Sequence, residues 1–425
     1  MNEGSKENSS NQRPKKVLVI GGGIAGLTAA WELARLDLDV ELVEKSSFLG
    51  GHAIQFCCKA DDECQKCGAC SVEKRLLEVI REPRIKVYLR SELKGVSRNS
   101  GFSYNLSRRP LYIDSQRCTN CGLCFQKCPA PGAIIRGYSK NNVPLYSIDE
   151  ARCLYHKDGT CTLCQDLCPE KAVNLDRAAD QVPGKTDAIV VASGFKAFDP
   201  TARPRYGYGI NRNLITALDL ERLLREKGEV LRPSDNEPPW RIAFIQCVGS
   251  RDHKLGHGFC SQVCCGYAMR MAGAIRHRYP GAEVTIFYMD IQNCGKNFSR
   301  FYERCKQEIR FVRFMPGDIF QGEQDRLIVC YGDEEDGHAV REAFDLVVLS
   351  VGIMPGSSNA GLADMLKIDL DRHGFFSFVD PLDSTSTSQP GIFLAGTAQG
   401  PKDIADSMAQ AGRAAQRAGR YLGVT

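Results

Sequence analysis

Residues 15–20 (Lys-Lys-Val-Leu-Val-Ile) form a short apolar run with no polar alternation, the pattern of a parallel strand buried on both faces. Apolar positions then recur at helical spacing from Leu27 to Leu36, and 39–43 is a second buried-strand run, so the chain opens as strand, turn, helix, strand. The buried-strand pattern returns at 187–195, 241–246 and 391–400, and 261–278 reads as a helix with Cys264 and Cys265 in or just before its first turn. This alternation predicts an α/β chain built on two dinucleotide-binding, Rossmann-type domains, with 241–246 opening the second. No stretch approaches the roughly 20 apolar residues of a membrane span.

The first turn carries chemistry. Gly21, Gly23 and Gly26, with Ile24 and Ala25 between them, follow the first strand at once. Gly21 permits the tight turn, Gly23 lets the backbone approach a pyrophosphate, and Gly26 lets helix and strand touch. A diphosphate would sit on the free N–H groups of the helix start. Glu44 ends the second strand, where an acid binds ribose hydroxyls and disfavours a 2′-phosphate. Lys45, Gly50 and Gly51 continue as in two-dinucleotide-domain flavoproteins. Ala192 and Gly194 in the 187–195 segment resemble their return to the flavin domain, and Gly396 and Thr397 resemble their last turn under the flavin chain. FAD is the expected ligand. Lys402 and Asp403, with Ile404 beside them, either reach the flavin or pair at the start of a last helix.

Composition changes the picture at one point. The 43% apolar and 25% charged shares and the +4 net charge are those of an ordinary globular chain, with no electrostatic footprint for nucleic acid. Twenty cysteines are not ordinary. They are grouped, and residues 1–11 lack the apolar core of an export signal, which favours metal over disulfides and a cytoplasmic setting.

Cys118, Cys121, Cys124 and Cys128, then Pro129, form the bacterial ferredoxin run, in which three thiolates hold one 4Fe–4S cubane and the fourth reaches another. Cys153, Cys161, Cys164 and Cys168, then Pro169, repeat it with a longer first interval. The cross-over rule assigns Cys118, Cys121, Cys124 and Cys168 to one cluster and Cys128, Cys153, Cys161 and Cys164 to the other. Zinc is the structural alternative, although it requires neither the Cys-Pro endings nor the doubling. After 241–246, where a nicotinamide-binding domain would carry its glycine loop, stand Cys247, Cys260, Cys264 and Cys265, so no ordinary NAD(P)H site is expected. His253 and His257 in that loop read as solvated rather than as ligands. Cys64, Cys67 and Cys70, with Cys58 or Cys57 as the fourth thiolate, suggest a further cubane; zinc or a redox pair beside the flavin stays open. Cys294, Cys305 and Cys330 read as ordinary residues.

These motifs, with Cys247-Val248-Gly249-Ser250-Arg251-Asp252, 288–291, 374–376 and 396–404, resemble the A subunit of heterodisulfide reductases and its bacterial relatives, including the A subunit of the quinone-interacting membrane-bound oxidoreductase. The resemblance covers nearly everything after the first dozen residues. It implies FAD in a thioredoxin-reductase-like fold, an inserted α+β ferredoxin-like module with two cubanes, and a cubane on Cys247, Cys260, Cys264 and Cys265 near the flavin. It further implies B- and C-type partner subunits, through which any membrane association would run, with a homodimer left open. Some members split electron pairs at the flavin. Against the longest members a further ferredoxin domain is not expected here, and Cys294 and Cys305 stand where other residues are expected, which counts against bifurcation more than against flavin binding. The expected division is a disordered tail 1–14, flavin-domain parts at 15–109, 177–239 (with a linker) and 345–425, the ferredoxin-like insert 110–176, and a degenerate NAD(P)-like domain 240–344. The expected function is an electron-transfer subunit of an oxidoreductase complex. An NAD(P)H-dependent reductase resembling the glutamate synthase small subunit is the alternative, and a scaffold with redox-silent clusters a third reading.

Overall fold

The structure, a computed structural model, describes residues 13–61, 63–292, 296–333 and 336–424. Most of the tail and Cys294 lie outside the described residues.

Two parallel sheets of five strands form the frame. The first runs Ile392–Leu394, Ala188–Val191, Lys16–Ile20, Asp39–Val43, Ile85–Tyr88. Its strands are apolar without alternation because both faces are covered: Val17 and Val19 enter one core, Leu18 and Ile20 the other. The helices Ile24–Ala34 and Ile404–Leu422 pack on the first of these faces, and alanines at 29, 30, 411, 414, 415 and 418 let them approach closely.

The second sheet runs Leu214–Thr216, Leu346–Val351, Arg241–Val248, Glu283–Phe287, Arg310–Val312. Here too successive residues divide, Ile242 and Phe244 to one core, Ala243 and Ile245 to the other. Two sequence boundaries move as a result. Residues 346–351, expected in the flavin-binding part that starts at 345, pair with the Arg241–Val248 strand, and Leu214–Thr216, expected in a flavin-side linker, pairs with 346–351. Both segments are short apolar runs, and hydrophobic pattern alone does not say which parallel sheet such a run joins.

The segment between Phe102–Arg108 and Asp180–Thr186 leaves and returns at neighbouring strand ends, since these strands are antiparallel with Arg108 opposite Asp180. An Arg108–Asp180 ion pair closes that neck. The segment has a small core of its own, including Ile113, Ile134, Tyr146 and Val173, and one antiparallel strand pair, Ile134–Arg136 with Tyr146–Ile148. No helix among the described residues is long and apolar enough to cross a membrane.

Candidate functional site

The turn after the first strand is built by contact. A side chain at Gly26 would collide with the Gly21 carbonyl, so only glycine lets the Ile24–Ala34 helix start against the strand end. Gly51, at φ 58°, lies against Gly23, where a Cβ would come within 2.9 Å of the Gly23 Cα. Glu44 is buried, accepting the Gly22 N–H at 2.6 Å and the Ser46 N–H at 2.7 Å, so the carboxylate braces the glycine turn and faces the space beside it.

That space is a cavity of about 960 Å³, at the upper end of the roughly 300–1,000 Å³ of small-molecule sites. Gly21, Gly23, Ile24, Ala25, Glu44, Lys45, Gly51, Ala192, Gly194, Thr397, Lys402, Asp403 and Ile404 line it. Gly26, Gly50 and Gly396 do not. They shape its wall from behind, Gly50 against Ile54 and Gly396 against Ala25. The donor set fits a dinucleotide: an uncapped helix start, a braced acid and a cavity of sufficient volume with mixed polar and apolar walls.

Lys402 makes no carboxylate pair. Its ammonium donates to the carbonyls of Gly396 (3.1 Å) and Gly400 (3.0 Å) and to Gln399 Oε1 (3.0 Å). Burial lowers it to about 8, with Asp406 opposing weakly. Asp403 caps the last helix, accepting the Asp406 N–H at 2.8 Å.

Sequence reading missed several cavity residues. His52 stacks on Phe195 with ring centroids 4.4 Å apart, and burial lowers its pKa. Lys59 and Glu221 form an ion pair at 2.5 Å with both side chains almost fully buried, and both line the cavity. Glu221 also accepts the Cys57 N–H at 2.9 Å. They are far apart in sequence, so no local signal joins them. Gly266, Tyr267 and Arg270, from the Cys264–Arg278 helix, complete that wall.

In the inserted segment Cys118, Cys121, Cys124 and Cys168 line one small cavity with Ile113, Tyr146 and Pro169. Burial is the main cause raising the Cys124 thiol to about 11, with Cys118, Cys121 and Cys168 adding to it. Cys164 is raised to about 12, chiefly by burial and then by Cys153, with Cys124, Cys128 and Cys161 nearby. Cys153, separated by the longer interval, thus lies near Cys164, as do Cys124, Cys128 and Cys161. The Cys168 sulfur accepts the Ala172 N–H at 3.2 Å, the kind of contact that favours a thiolate.

The third group forms where the Arg241–Val248 strand ends. A register shift after Ile245 and a left-handed Cys247 (φ 56°) turn that thiol inward. Cys264 and Cys265 are the first two residues of the Cys264–Arg278 helix, three residues later than the helical pattern suggests, because Gln262 takes a left-handed conformation (φ 61°) that a right-handed helix does not admit; the Ser261 hydroxyl accepts the Ile353 N–H at 2.8 Å. No side chain caps that helix start, so its N–H groups and dipole face the thiols. Burial pushes Cys247 up to about 12, with Cys265 and Cys260 adding and Arg251 opposing; Cys264 is pushed up by burial and by all three companions. Arg251 is held by Asp290, with one contact at 3.1 Å and a second, closer one.

The fourth group is not assembled in the same way. Cys57 is buried in the second sheet's core, raised to about 12 by burial and Glu221, while Cys58, Cys64 and Cys70 are exposed and Cys67 borders the large cavity. No described contact brings Cys58, Cys64, Cys67 and Cys70 together. No three His, Cys, Asp or Glu side chains among the described residues converge closely enough for a single metal ion; the thiols of the inserted segment surround a larger space.

Comparison with known proteins adds the lineage. The chain is 36% identical over 423 residues to the A subunit of the H2:CoB-CoM heterodisulfide,ferredoxin reductase of Methanothermobacter marburgensis, covering 95% of this chain and 63% of that one. It is 39% identical to the second of two iron–sulfur A subunits of the CoB–CoM heterodisulfide reductase of Methanopyrus kandleri, covering 96% and 64%. The chain thus spans under two thirds of these relatives. In fold it is similar to thioredoxin reductases of Lactococcus lactis (TM-score 0.54, 17% identity, 97% of this chain and 100% of that one) and T. acidophilum (0.53, 14%, 97% and 99%). Residues 15–418 match the pyridine nucleotide-disulphide oxidoreductase family, and the chain belongs to that family of oxidoreductases.

Proposed function

We propose that this chain is the FAD- and iron–sulfur-carrying A-type subunit of a heterodisulfide-reductase-like complex, joining two-electron chemistry to one-electron transfer. One observation carries the reading: Cys264 and Cys265 begin the helix whose next turn, Gly266, Tyr267 and Arg270, walls the large cavity. When bound, FAD supplies the two-electron step and 4Fe–4S clusters supply one-electron conduction.

The residues divide the remaining work. The Gly21–Gly26 turn and the helix start take the diphosphate, Glu44 the ribose, and Lys402 and Ile404 the far end of the cavity. Cys118, Cys121, Cys124 and Cys168 hold one cubane, Cys128, Cys153, Cys161 and Cys164 a second, and Cys247, Cys260, Cys264 and Cys265 a third. Cys58, Cys64, Cys67 and Cys70 hold a fourth; the burial of Cys57 against Glu221 favours Cys58 as its ligand. The ferredoxin-like insert is fastened beside the flavin loop. Asn142 bonds both backbone groups of Leu49 (3.0 and 3.3 Å), Arg90 pairs with Glu150, and Ser139 donates to Glu73. Those contacts hold the thiols at a fixed distance from the cavity. B- and C-type subunits are the proposed partners, and Leu123, Phe125, Leu163 and Leu167, exposed beside the insert's thiols, suit a protein contact there.

The loop between the Arg241–Val248 strand and the Cys264–Arg278 helix, occupied by cysteines rather than a glycine turn, weighs against the NAD(P)H-dependent reductase. Anaerobically purified protein should carry flavin, iron and acid-labile sulfide and should co-purify with partner subunits. Mixed alone with NADH or NADPH in a stopped-flow instrument, its flavin should stay oxidised; rapid bleaching restores the alternative. Protein free of flavin and sulfide defeats both. Flavin-based electron bifurcation is the finer form of the proposal, tested by whether the flavin's second electron leaves at a lower potential than its first.

A further inference from the structure

Five buried polar side-chain atoms belong to the elements that carry the third cysteine group: both amide atoms of Gln246 and the Ser250 hydroxyl, which have no hydrogen-bond partner, and the hydroxyls of Ser350 and Tyr267, which have none beyond each other. Gln246 and Ser250 flank Cys247. Ser350 lies on the adjacent strand, and the pairing of Ile245 with Leu349 sets Gln246 beside it on the same face. That face is the one Ile242, Phe244 and Val348 turn toward the Cys264–Arg278 helix. Tyr267 stands three residues after Cys264, on the same side of that helix. Tyr267 lines the large cavity, and its hydroxyl is buried beside Ser350, near Cys264, Glu221 and Cys247. Native interiors pair such groups with protein, water or ligand, so a cluster of orphans marks a missing partner.

We infer that Tyr267 and Gln246 are positioning residues for the Cys247 group, donating hydrogen bonds to its sulfurs and so raising that centre's reduction potential. Added electrons concentrate negative charge on the sulfurs, and a donor aimed at them favours the reduced form. Ser350 orients the Tyr267 hydroxyl. Tyr267 then touches both sites, lining the cavity and placing its hydroxyl at the thiols. This inference rests on the proposal that Cys247, Cys260, Cys264 and Cys265 hold a cluster.

The test is potentiometric titration of the anaerobic full-length chain followed by EPR, for the native protein, Tyr267→Phe and Gln246→Leu. The expected result is a shift of one centre to lower potential in each variant, larger in the double variant, with the insert's centres, flavin content and iron count unchanged. In Tyr267→Phe, loss of an exchangeable-deuteron coupling at that centre in pulsed EPR should accompany the shift. Unmoved potential and unchanged coupling overturn the inference and assign these groups to buried water. Absence of the third centre from the native protein, by iron count and EPR, overturns instead the cluster on which it rests. Should Gln246→Leu fail to fold, Tyr267→Phe decides alone.

Discussion

The two five-stranded sheets share parallel pairing and two-faced burial, yet differ in the few residues after one strand. After Lys16–Ile20 the chain turns through three glycines and enters its helix at Ile24. After Arg241–Val248 it wanders through 249–263 before its helix begins at Cys264. The first loop is stripped of side chains, which leaves backbone N–H groups to face an anion; the second supplies sulfur to the same kind of helix start. The frame is common and the chemistry is in the loop.

Cys264→Ser should have the largest effect on that contrast. It removes the most buried thiol of the second loop, so iron and sulfide should fall by one cluster's share while flavin stays bound. Unchanged iron would erase the distinction between the loops. Next is Glu221→Ala, which leaves the Lys59 ammonium buried without its partner. Loss of about 3–5 kcal/mol in urea unfolding of the apoprotein is expected, with most of it regained in Lys59→Met/Glu221→Leu.

Gly26→Ala sharpens the first loop. The new Cβ meets the Gly21 carbonyl, which should cost about 1–3 kcal/mol and show as flavin lost on gel filtration. Gly412→Ala, in the last helix with open space around it, is the control and should keep its flavin.

The smallest effect concerns Lys402. With its folded value near 8 and an ordinary value of 10.5, the unfolded chain binds more protons between those limits, so this residue makes stability rise with pH across that window. The stability of the native apoprotein relative to Lys402→Met, followed by chemical unfolding from pH 7 to 10.5, should rise with pH. A constant difference assigns Lys402 a purely steric place in the wall.

Much was legible in the sequence because its signals are local. The glycine turn, Glu44 at a strand end and the cysteine spacings each depend on a few neighbouring residues whose chemistry admits few alternatives, and the cavity and the grouped thiols of the insert follow from them. Helix starts were less legible. Ser261 fits the helical pattern, but Gln262 beside it turns left-handed (φ 61°), a backbone choice only the folded chain reveals.

What the sequence by itself determined was the kind of ligand each loop can take, since backbone freedom and thiol chemistry belong to residues and their spacing. Tertiary structure alone decided which sheet the 214–216 and 346–351 strands join, that Lys59 meets Glu221, and that Tyr267, three residues after Cys264, lines the cavity. Those outcomes depend on burial and on contacts between segments distant along the chain, where an apolar run or a lone charged residue carries no address until the chain closes around it.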